Sequence, residues 1–273
     1  MKLRAVLLTT ALFVFLLPLA WTALAAFGMV PDNSSRPPSW AGSLSLDHFL
    51  DVGVAEPAFW QELTTSTVAA LAASFITIAV SYPAAYALAR SRSRLEAFVS
   101  PAFIVLASLP AMSYVIPLSD LMRRAHLLDT LAGVVLSEAA VTAPLAVYVL
   151  HGACRKLSAE WEEAAVLDGA GLARTMVQVV LPMVAPAVVA TAIVVFVIDW
   201  NLLLVPLVLT SGELKTVPVA MSDFFTFERE LEWPTAAAAL VISLAPVAVL
   251  VALFHRALQR FALEAVAPES SDE

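Results

Sequence analysis

The sequence predicts an all-α membrane protein with six transmembrane helices in a single domain, residues 1–273. Hydrophobic residues make up 60% of the chain and charged residues only 14%, which is too apolar for a soluble domain. Several apolar runs are long enough to cross a bilayer, which takes about 20 helical residues. The predicted spans cover approximately residues 5–28, 63–89, 100–118, 130–150, 182–210 and 235–254.

The first apolar run follows Lys2 and Arg4 and contains Ala23-Leu24-Ala25, which would fit a signal-peptidase site. The run is longer than twenty residues, whereas the apolar part of a secretory signal has about 7–15. We therefore expect an uncleaved span, followed by an extracytoplasmic loop over residues 30–62.

Basic residues set the expected orientation. With both termini in the cytoplasm, the cytoplasmic segments hold ten Lys and Arg residues and the outer segments five. Such residues are enriched in the cytoplasmic loops of multi-pass proteins, so we expect a plasma-membrane protein with both termini cytoplasmic. Arg123 and Arg124 are the exceptions, because they lie on a polar link, residues 119–129, that turns the chain outside the membrane.

Prolines mark irregular points within two of the spans. Pro110 and Pro117 lie in the third span, and each removes a backbone donor and is expected to kink or interrupt the helix. Pro206, in the fifth span, leaves the Leu202 carbonyl without its helical donor. Local unwinding is therefore an open possibility just before Pro206.

The longest polar-rich interval is the cytoplasmic loop 152–181, between the fourth and fifth spans. Ser158 is placed to cap a short helix with three glutamates in its first turns, where the helix dipole favours negative charge. Four residues recur at helical spacing and predict a shallow apolar stripe: Leu157, Trp161, Ala164 and Ala165.

Two glycines follow this helix and allow a bend that other residues would resist, Gly169 and Gly171. A second short helix is predicted over residues 172–180, and Pro182 and Pro186 mark the start of the fifth span. The loop is therefore expected to be a helix, a bend and a second helix along the membrane surface.

Several functions are excluded by what the sequence lacks. No run matches the nucleotide-binding pattern G-x-x-x-x-G-K-[ST] or the hydrolase patterns H-E-x-x-H and G-x-S-x-G, so no catalytic residue is expected. The four histidines are far apart and form no metal-ligand pattern, and Cys154 is the only cysteine. A net charge of −8 argues against nucleic acid as a partner.

The cytoplasmic loop resembles the EAA loop of ATP-binding-cassette importer permeases, the maltose-transporter type above all. The resemblance rests on three separated anchors: Glu163-Ala164-Ala165, Asp168-Gly169-Ala170, and Leu181-Pro182 with Pro186. It implies the type I importer-permease fold, in which this loop is a coupling helix that docks in a groove of a cytoplasmic ATPase. The residues expected to couple to the ATPase are Trp161, Glu163, Ala164, Ala165, Asp168, Gly169, Leu181 and Pro182.

Other segments extend the resemblance along the chain. They are the run 85–90, Trp200-Asn201 with Pro206-Leu207, and the segment 217–219 followed by Trp233. Two positions depart from the family pattern. The glutamate expected after Trp-Asn is Leu202, which puts any substrate contact at that position in doubt, and the usual glycine near Ala262 is absent.

Residues inside the spans are the candidates for a substrate path. Carboxylates are costly in a bilayer and usually face a bundle interior or a wet cavity, which applies here to Glu138 and Asp199. Asp199 and Asn201 lie about 200° apart on a regular helix, so only one of them faces the path unless the helix unwinds. The expected path residues are Asp199, Trp200, Asn201, Glu138 and Tyr114.

Structural alternatives stay open for each of these residues. Asp199 or Asn201 would also serve as an interhelical hydrogen-bonding group, and a protonated Glu138 bonded to Thr142 would be purely structural. Tyr114 would also serve as packing. The outer aromatic and acidic loop, residues 223–233, suits docking of an external binding protein, with a solvated face as the alternative.

The resemblance implies that this chain is the permease subunit of a carbohydrate importer, without ATPase chemistry or a cofactor of its own. Its expected partners are a second homologous permease, an ATPase dimer carrying ATP and Mg, an extracytoplasmic solute-binding protein, membrane lipid and the carbohydrate. One alternative is a related permease for a polyamine or glycerol phosphate, although few basic residues lie in the spans. The other is a stand-alone secondary transporter, although no internal repeat is visible.

Overall fold

The computed structural model describes residues 2–29, 44–91, 96–210, 214–222 and 233–266, and every regular element within these ranges is a helix. Five helices are long and apolar enough to span a membrane, and a bent pair makes a sixth if its halves form one span. The prediction of an all-α membrane fold is therefore confirmed.

The described residues form twelve α-helices and one π-helical turn, Met176–Val180, which lies between the eighth and ninth helices. In chain order the α-helices are α1 (Lys2–Ala26), α2 (Asp47–Asp51), α3 (Pro57–Ala89), α4 (Glu96–Ala107), α5 (Ala111–Arg124), α6 (Leu131–Lys156), α7 (Glu160–Leu167), α8 (Leu172–Thr175), α9 (Leu181–Trp200), α10 (Leu204–Leu209), α11 (Val217–Ser222) and α12 (Trp233–Val266).

The third predicted span is divided between α4 and α5, whose axes differ in direction by 92°. The break falls at Pro110, which has extended backbone angles and is the residue before α5. Pro117, by contrast, lies inside α5. Only one of the two prolines expected to disturb this span therefore breaks it.

The first half of the polar link predicted over residues 119–129 is helical, because α5 continues to Arg124. Asp120 accepts hydrogen bonds from Arg123 Nη2 at 2.5 Å and from Arg124 Nε at 2.8 Å. The two arginines that did not fit the charge distribution thus share one carboxylate one turn away.

The turn from α5 into α6 depends on a glycine. Thr130 caps α6 by accepting a hydrogen bond from the Gly133 amide at 3.0 Å, and its hydroxyl donates to the Leu127 carbonyl at 2.7 Å. A Cβ atom on Gly133 would lie 2.1 Å from that same carbonyl oxygen. No side chain therefore fits here unless the turn moves.

We expect Gly133→Ala to destabilise the protein by about 1–3 kcal/mol, the usual cost of overpacking a closely packed site. Gly152→Ala in the same helix is the matched control, because a Cβ atom there meets nothing within 4 Å. Thermal unfolding of the purified protein in detergent measures both. Equal melting temperatures for the two variants would contradict the prediction.

One compact unit comprises Met1–Thr65 and Lys215–Ala248. Its core joins alanines of α1, Ala25 and Ala26, to alanines of α12, Ala237 and Ala238, and all four are fully buried. Small residues let helix backbones approach closely within a membrane. Phe49 and Val52, in and just after α2, pack against the same cluster.

The second unit comprises Ser66–Leu214 and Val249–Glu273. In it α6 packs extensively on α4 and α9. Hydroxyl groups of α3 donate to main-chain carbonyls of the neighbouring helices: Thr77 to Ala139 at 3.3 Å, Ser81 to Ala143 at 3.3 Å and Ser74 to Ala192 at 2.9 Å. These bonds tie α3 to both α6 and α9.

Candidate functional site

The polar interval singled out in the sequence contains α7, which begins one residue later than a Ser158 cap would require. Ala159 is the residue before the helix and makes no side-chain capping bond. Ser158 Oγ instead accepts a hydrogen bond from the Glu160 amide at 3.3 Å. The prediction of Ser158 as the cap was therefore wrong by one position, although its hydroxyl does bind a free amide of the first turn.

The end of α7 is a glycine-dependent cap. Gly169 has φ of 81°, in the left-handed region that glycine adopts without strain. Its amide donates to Val166 O at 3.0 Å, and the Ala170 amide donates to Ala165 O at 2.9 Å. These two bonds form a Schellman motif, which satisfies the last carbonyls of the helix. Gly171, with φ of −75°, does not require glycine.

The residues predicted to form an apolar stripe on α7 are exposed or half-buried. Trp161 is 57% exposed and Ala164 is exposed, whereas Glu162 is buried. Glu163 lies at the surface beside it. Of the residues expected to couple to an ATPase, Ala165 and Leu181 are half-buried, and the exposed ones are Trp161, Glu163, Ala164, Asp168, Gly169 and Pro182.

Glu162 is buried because Tyr86 of α3 and Arg90, directly after that helix, supply partners for both of its carboxylate oxygens. Tyr86 Oη donates to Glu162 Oε2 at 2.7 Å, and Arg90 donates to Oε1 from Nε at 2.8 Å and from Nη2 at 2.5 Å. The hydrogen bond to Glu162 raises the pKa of Arg90 above its ordinary value, so the arginine stays charged. We call these three residues the α3–α7 clamp.

Sequence reasoning missed the clamp. Its one visible signal was the spacing of Tyr86 and Arg90, which places a hydroxyl and a guanidinium on the same helical face at the cytoplasmic end of a span. Nothing local identified Glu162 as their partner, because the two sides of the clamp are 72 positions apart in the chain.

The second short helix predicted over 172–180 does not end before the fifth span. From Leu172 to Trp200 the chain runs as one helical segment through the π-helical turn. Pro182 lacks the amide that would bond the Gln178 carbonyl, so a local change of hydrogen-bond pattern is expected next to it. The Met176 carbonyl accepts from the Leu181 amide and from Tyr82 Oη, the latter at 2.7 Å.

Two of the predicted path residues interact across the interface of α6 and α9. Glu138 is 2% exposed and Asp199 is 3% exposed. Glu138 Oε2 and both carboxylate oxygens of Asp199 have no hydrogen-bond partner among the described residues. The carboxyl of Asp199 lies close enough to that of Glu138 to act on it electrostatically. Two carboxyl groups with unsatisfied oxygens therefore share this buried interface.

The bond predicted between the Glu138 carboxyl and Thr142 was wrong. The Thr142 hydroxyl donates to the main-chain carbonyl of Glu138 at 3.0 Å and pairs with the Thr77 hydroxyl at 3.1 Å. A threonine in a helix often satisfies its hydroxyl on the carbonyl one turn earlier. The carboxyl of Glu138 is thereby left without this donor.

The helix does unwind between Asp199 and Pro206, since α9 ends at Trp200 and α10 begins at Leu204. The break does not bring the polar groups together, because the exposed Asn201 amide donates to Val197 O of its own helix at 2.7 Å. Trp200 is buried and stacks on Phe196, with ring centroids 6.0 Å apart. An indole in that position has no face open to a sugar.

Tyr114 lies in a different cluster, half-buried against the core formed by α5 and α10. The structure thus brings Glu138 and Asp199 together and leaves Asn201, Trp200 and Tyr114 apart from them. Residues 223–232, most of the outer loop expected to dock a binding protein, are outside the described ranges.

Comparison with known proteins gives concordant matches. Residues 81–263 match the model of a family described as binding-protein-dependent transport system inner membrane component. A trehalose transport system permease protein from Mycobacterium tuberculosis is 32% identical over 259 residues, 92% of each chain. A putative ABC transporter permease protein from Streptomyces antibioticus is 36% identical over 180 residues, 66% of this chain and 79% of that protein.

One solved structure has the same fold. It is a chain from the crystal structure of a bacterial ABC transporter involved in the import of the acidic polysaccharide alginate. The TM-score is 0.73 at 20% sequence identity, over 93% of this chain and 95% of the other.

Proposed function

The chain belongs to the family of binding-protein-dependent transport system inner membrane components, and we propose that it is the permease subunit of a carbohydrate importer driven by an ATP-binding-cassette ATPase. The observation that supports carbohydrate as the substrate is the match to a trehalose permease along 92% of both chains. As a multi-pass member of this family it is a plasma-membrane protein, and we propose that both termini are cytoplasmic.

Permeases of this family work with an ATPase and a binding protein. We propose the specific assembly of this chain with a second homologous permease, two ATPase subunits that carry ATP and Mg, and an extracytoplasmic solute-binding protein. The exposed surface of α7, which includes Trp161, Glu163 and Ala164, is the proposed contact with the ATPase. The chain itself contributes no covalent chemistry in this proposal.

The proposed cycle moves the spans by moving α7. ATP binding closes the ATPase pair, α7 follows the groove in which it is seated, and the spans change from inward-facing to outward-facing. Glu138 and Asp199 are the proposed substrate contacts, since carboxylate oxygens without protein partners are free to accept hydrogen bonds from vicinal sugar hydroxyls.

Purification and reconstitution test the proposal. The chain should co-purify with an ATPase, and in liposomes the complex should take up radiolabelled trehalose only with ATP and a loaded binding protein. Uptake by the chain alone would indicate a secondary transporter instead. Competition by a polyamine or by glycerol phosphate, with none by sugars, would place the chain among permeases for those solutes.

We expect Glu163→Lys to weaken the association with the ATPase severalfold, because the exposed carboxylate would face a groove that accommodates negative charge. Glu160→Lys is the matched control on the same helix and is also exposed. The amount of ATPase retained per permease at increasing salt gives the measurement. Equal retention for both variants would show that Glu163 does not face the groove.

A further inference from the structure

Tyr82 and Tyr86 of α3, and Arg90 directly after its last residue, bind the segment around α7 and are spaced one helical turn apart. Tyr82 Oη donates to Met176 O at 2.7 Å, after α7, and Tyr86 Oη donates to Glu162 within it. Arg90 donates to Glu162 and, through Nη2, to the Leu157 carbonyl before α7 at 3.0 Å. One face of α3 therefore fixes the start, the middle and the continuation of the coupling segment.

The clamp is a strong contact between the end of α3 and α7. A charged pair with several hydrogen bonds is stronger than a neutral contact, and its strength increases when water is largely excluded. The Glu162 side chain is 12% exposed and that of Arg90 is 23% exposed. Hydrogen bonds from the Arg90 and Tyr82 side chains to main-chain carbonyls extend the contact beyond a single pair.

Glu162 and Glu163 therefore have different roles although they are adjacent. Both oxygens of Glu162 are occupied by Tyr86 and Arg90, so this carboxylate has little capacity left for a partner protein. Glu163 is exposed and free of that constraint. One glutamate is oriented toward the spans and the other toward the aqueous phase.

We propose that Glu162, held by Tyr86 and Arg90, is the positioning residue that transmits the displacement of α7 directly to α3. The proposal rests on the proposed function, since it requires an ATPase that moves α7. The helices α6 and α9 are connected to α7 through the chain itself and would move with it. The proposal adds α3, which is remote in sequence, as a third span that moves directly with α7.

The decisive experiment measures sugar uptake per ATP hydrolysed in proteoliposomes. Radiolabelled trehalose is the probe, and the binding protein is included in the assay. Glu162→Gln keeps the size of the side chain and removes its charge. We expect it to retain the ATPase and its activity while uptake per ATP falls about tenfold, within the usual range of coupling between sites. Glu160→Gln is the matched control, since Glu160 is an exposed glutamate of the same helix outside the clamp, and it should keep the parent uptake per ATP.

Unchanged uptake per ATP in Glu162→Gln would overturn the proposal. The proposal would also be overturned if Glu162→Gln lowered the yield or melting temperature while the assembled complex kept the parent value of uptake per ATP. That result would mean that the clamp only holds α7 folded. If Glu162→Gln fails to assemble, Tyr86→Phe decides, because it removes one hydroxyl from the clamp; a parent ratio in that variant overturns the proposal. Absence of ATP-driven uptake by the parent complex would instead count against the proposed function.

Discussion

Gly169→Trp is expected to abolish ATP-driven uptake while leaving the protein inserted in the membrane. Gly169 closes α7 with a left-handed backbone conformation, and a Cβ atom there meets no other atom of the chain within 4 Å. An indole at this position would therefore extend into the space beside α7 where the ATPase is proposed to sit. Transport assays and membrane fractionation of the variant measure the two halves of the prediction.

We expect the loss of uptake to come from the size of the indole side chain rather than from backbone strain. The variant Gly169→Ala separates these two causes. A side chain in the left-handed region costs about 1–2 kcal/mol, whatever its size. We expect Gly169→Ala to reduce transport modestly and Gly171→Ala, where φ is ordinary, to leave it unchanged. Complete loss in Gly169→Ala would assign the effect to the helix cap, and normal uptake by Gly169→Trp would remove α7 from the coupling path.

Asp199→Asn is expected to reduce uptake about tenfold or more, as for loss of a charged hydrogen bond worth about 1.5–3 kcal/mol. The carboxylate is 3% exposed and lacks a hydrogen-bond partner among the described residues. A group in that position has a binding capacity that the chain itself does not use. Asparagine keeps the size of the side chain but not its charge, so assembly should be retained.

Asp199→Leu distinguishes substrate binding from a structural role. Replacing a buried acid that has no partner by an apolar residue leaves no donor unsatisfied, so we expect normal assembly and lost uptake. Asn201→Ala is the control and should transport normally, because the Asn201 amide bonds only a carbonyl of its own helix in the structure. Normal uptake by both Asp199 variants would remove this interface from the substrate path.

The positions of the membrane-spanning helices along the chain could be predicted from hydrophobic runs alone. The predicted span 63–89 lies within α3 and ends at the same residue, and the span 130–150 begins one residue before α6, which continues to Lys156. Helices coincide with these runs because a bilayer requires about 20 apolar residues whatever the helix packs against. The break at Pro110 was visible for an equally local reason, the missing amide.

The orientation of α7 could not be predicted in the same way. Helical spacing placed Trp161 in an apolar stripe but gave no reason to bury Glu162, which is buried in the structure. The cause is Arg90, which lies at the end of another helix and supplies the charge that makes burial tolerable. Which of two adjacent glutamates faces inward is decided by that tertiary contact.

The pairing of Glu138 with Asp199 has a similar explanation. Each acid was recognised from its position inside an apolar run, because burial of a charge there is costly. Their proximity depends on how α6 packs against α9, and Thr142, which bonds the main-chain carbonyl of Glu138, gives the Glu138 carboxyl no donor. Sequence periodicity identifies the residues but not their partners.

The π-helical turn sets the rotational phase of everything that follows it. Such a turn holds one residue more than the α-helical turn it replaces, and one residue corresponds to a rotation of about 100°. If the same residues Met176–Val180 were wound as an ordinary α-helix, with none removed, the extra residue would turn α9 by about that angle. Asp199 would then face away from Glu138, so the wider turn determines which way the second carboxylate faces in the membrane interior.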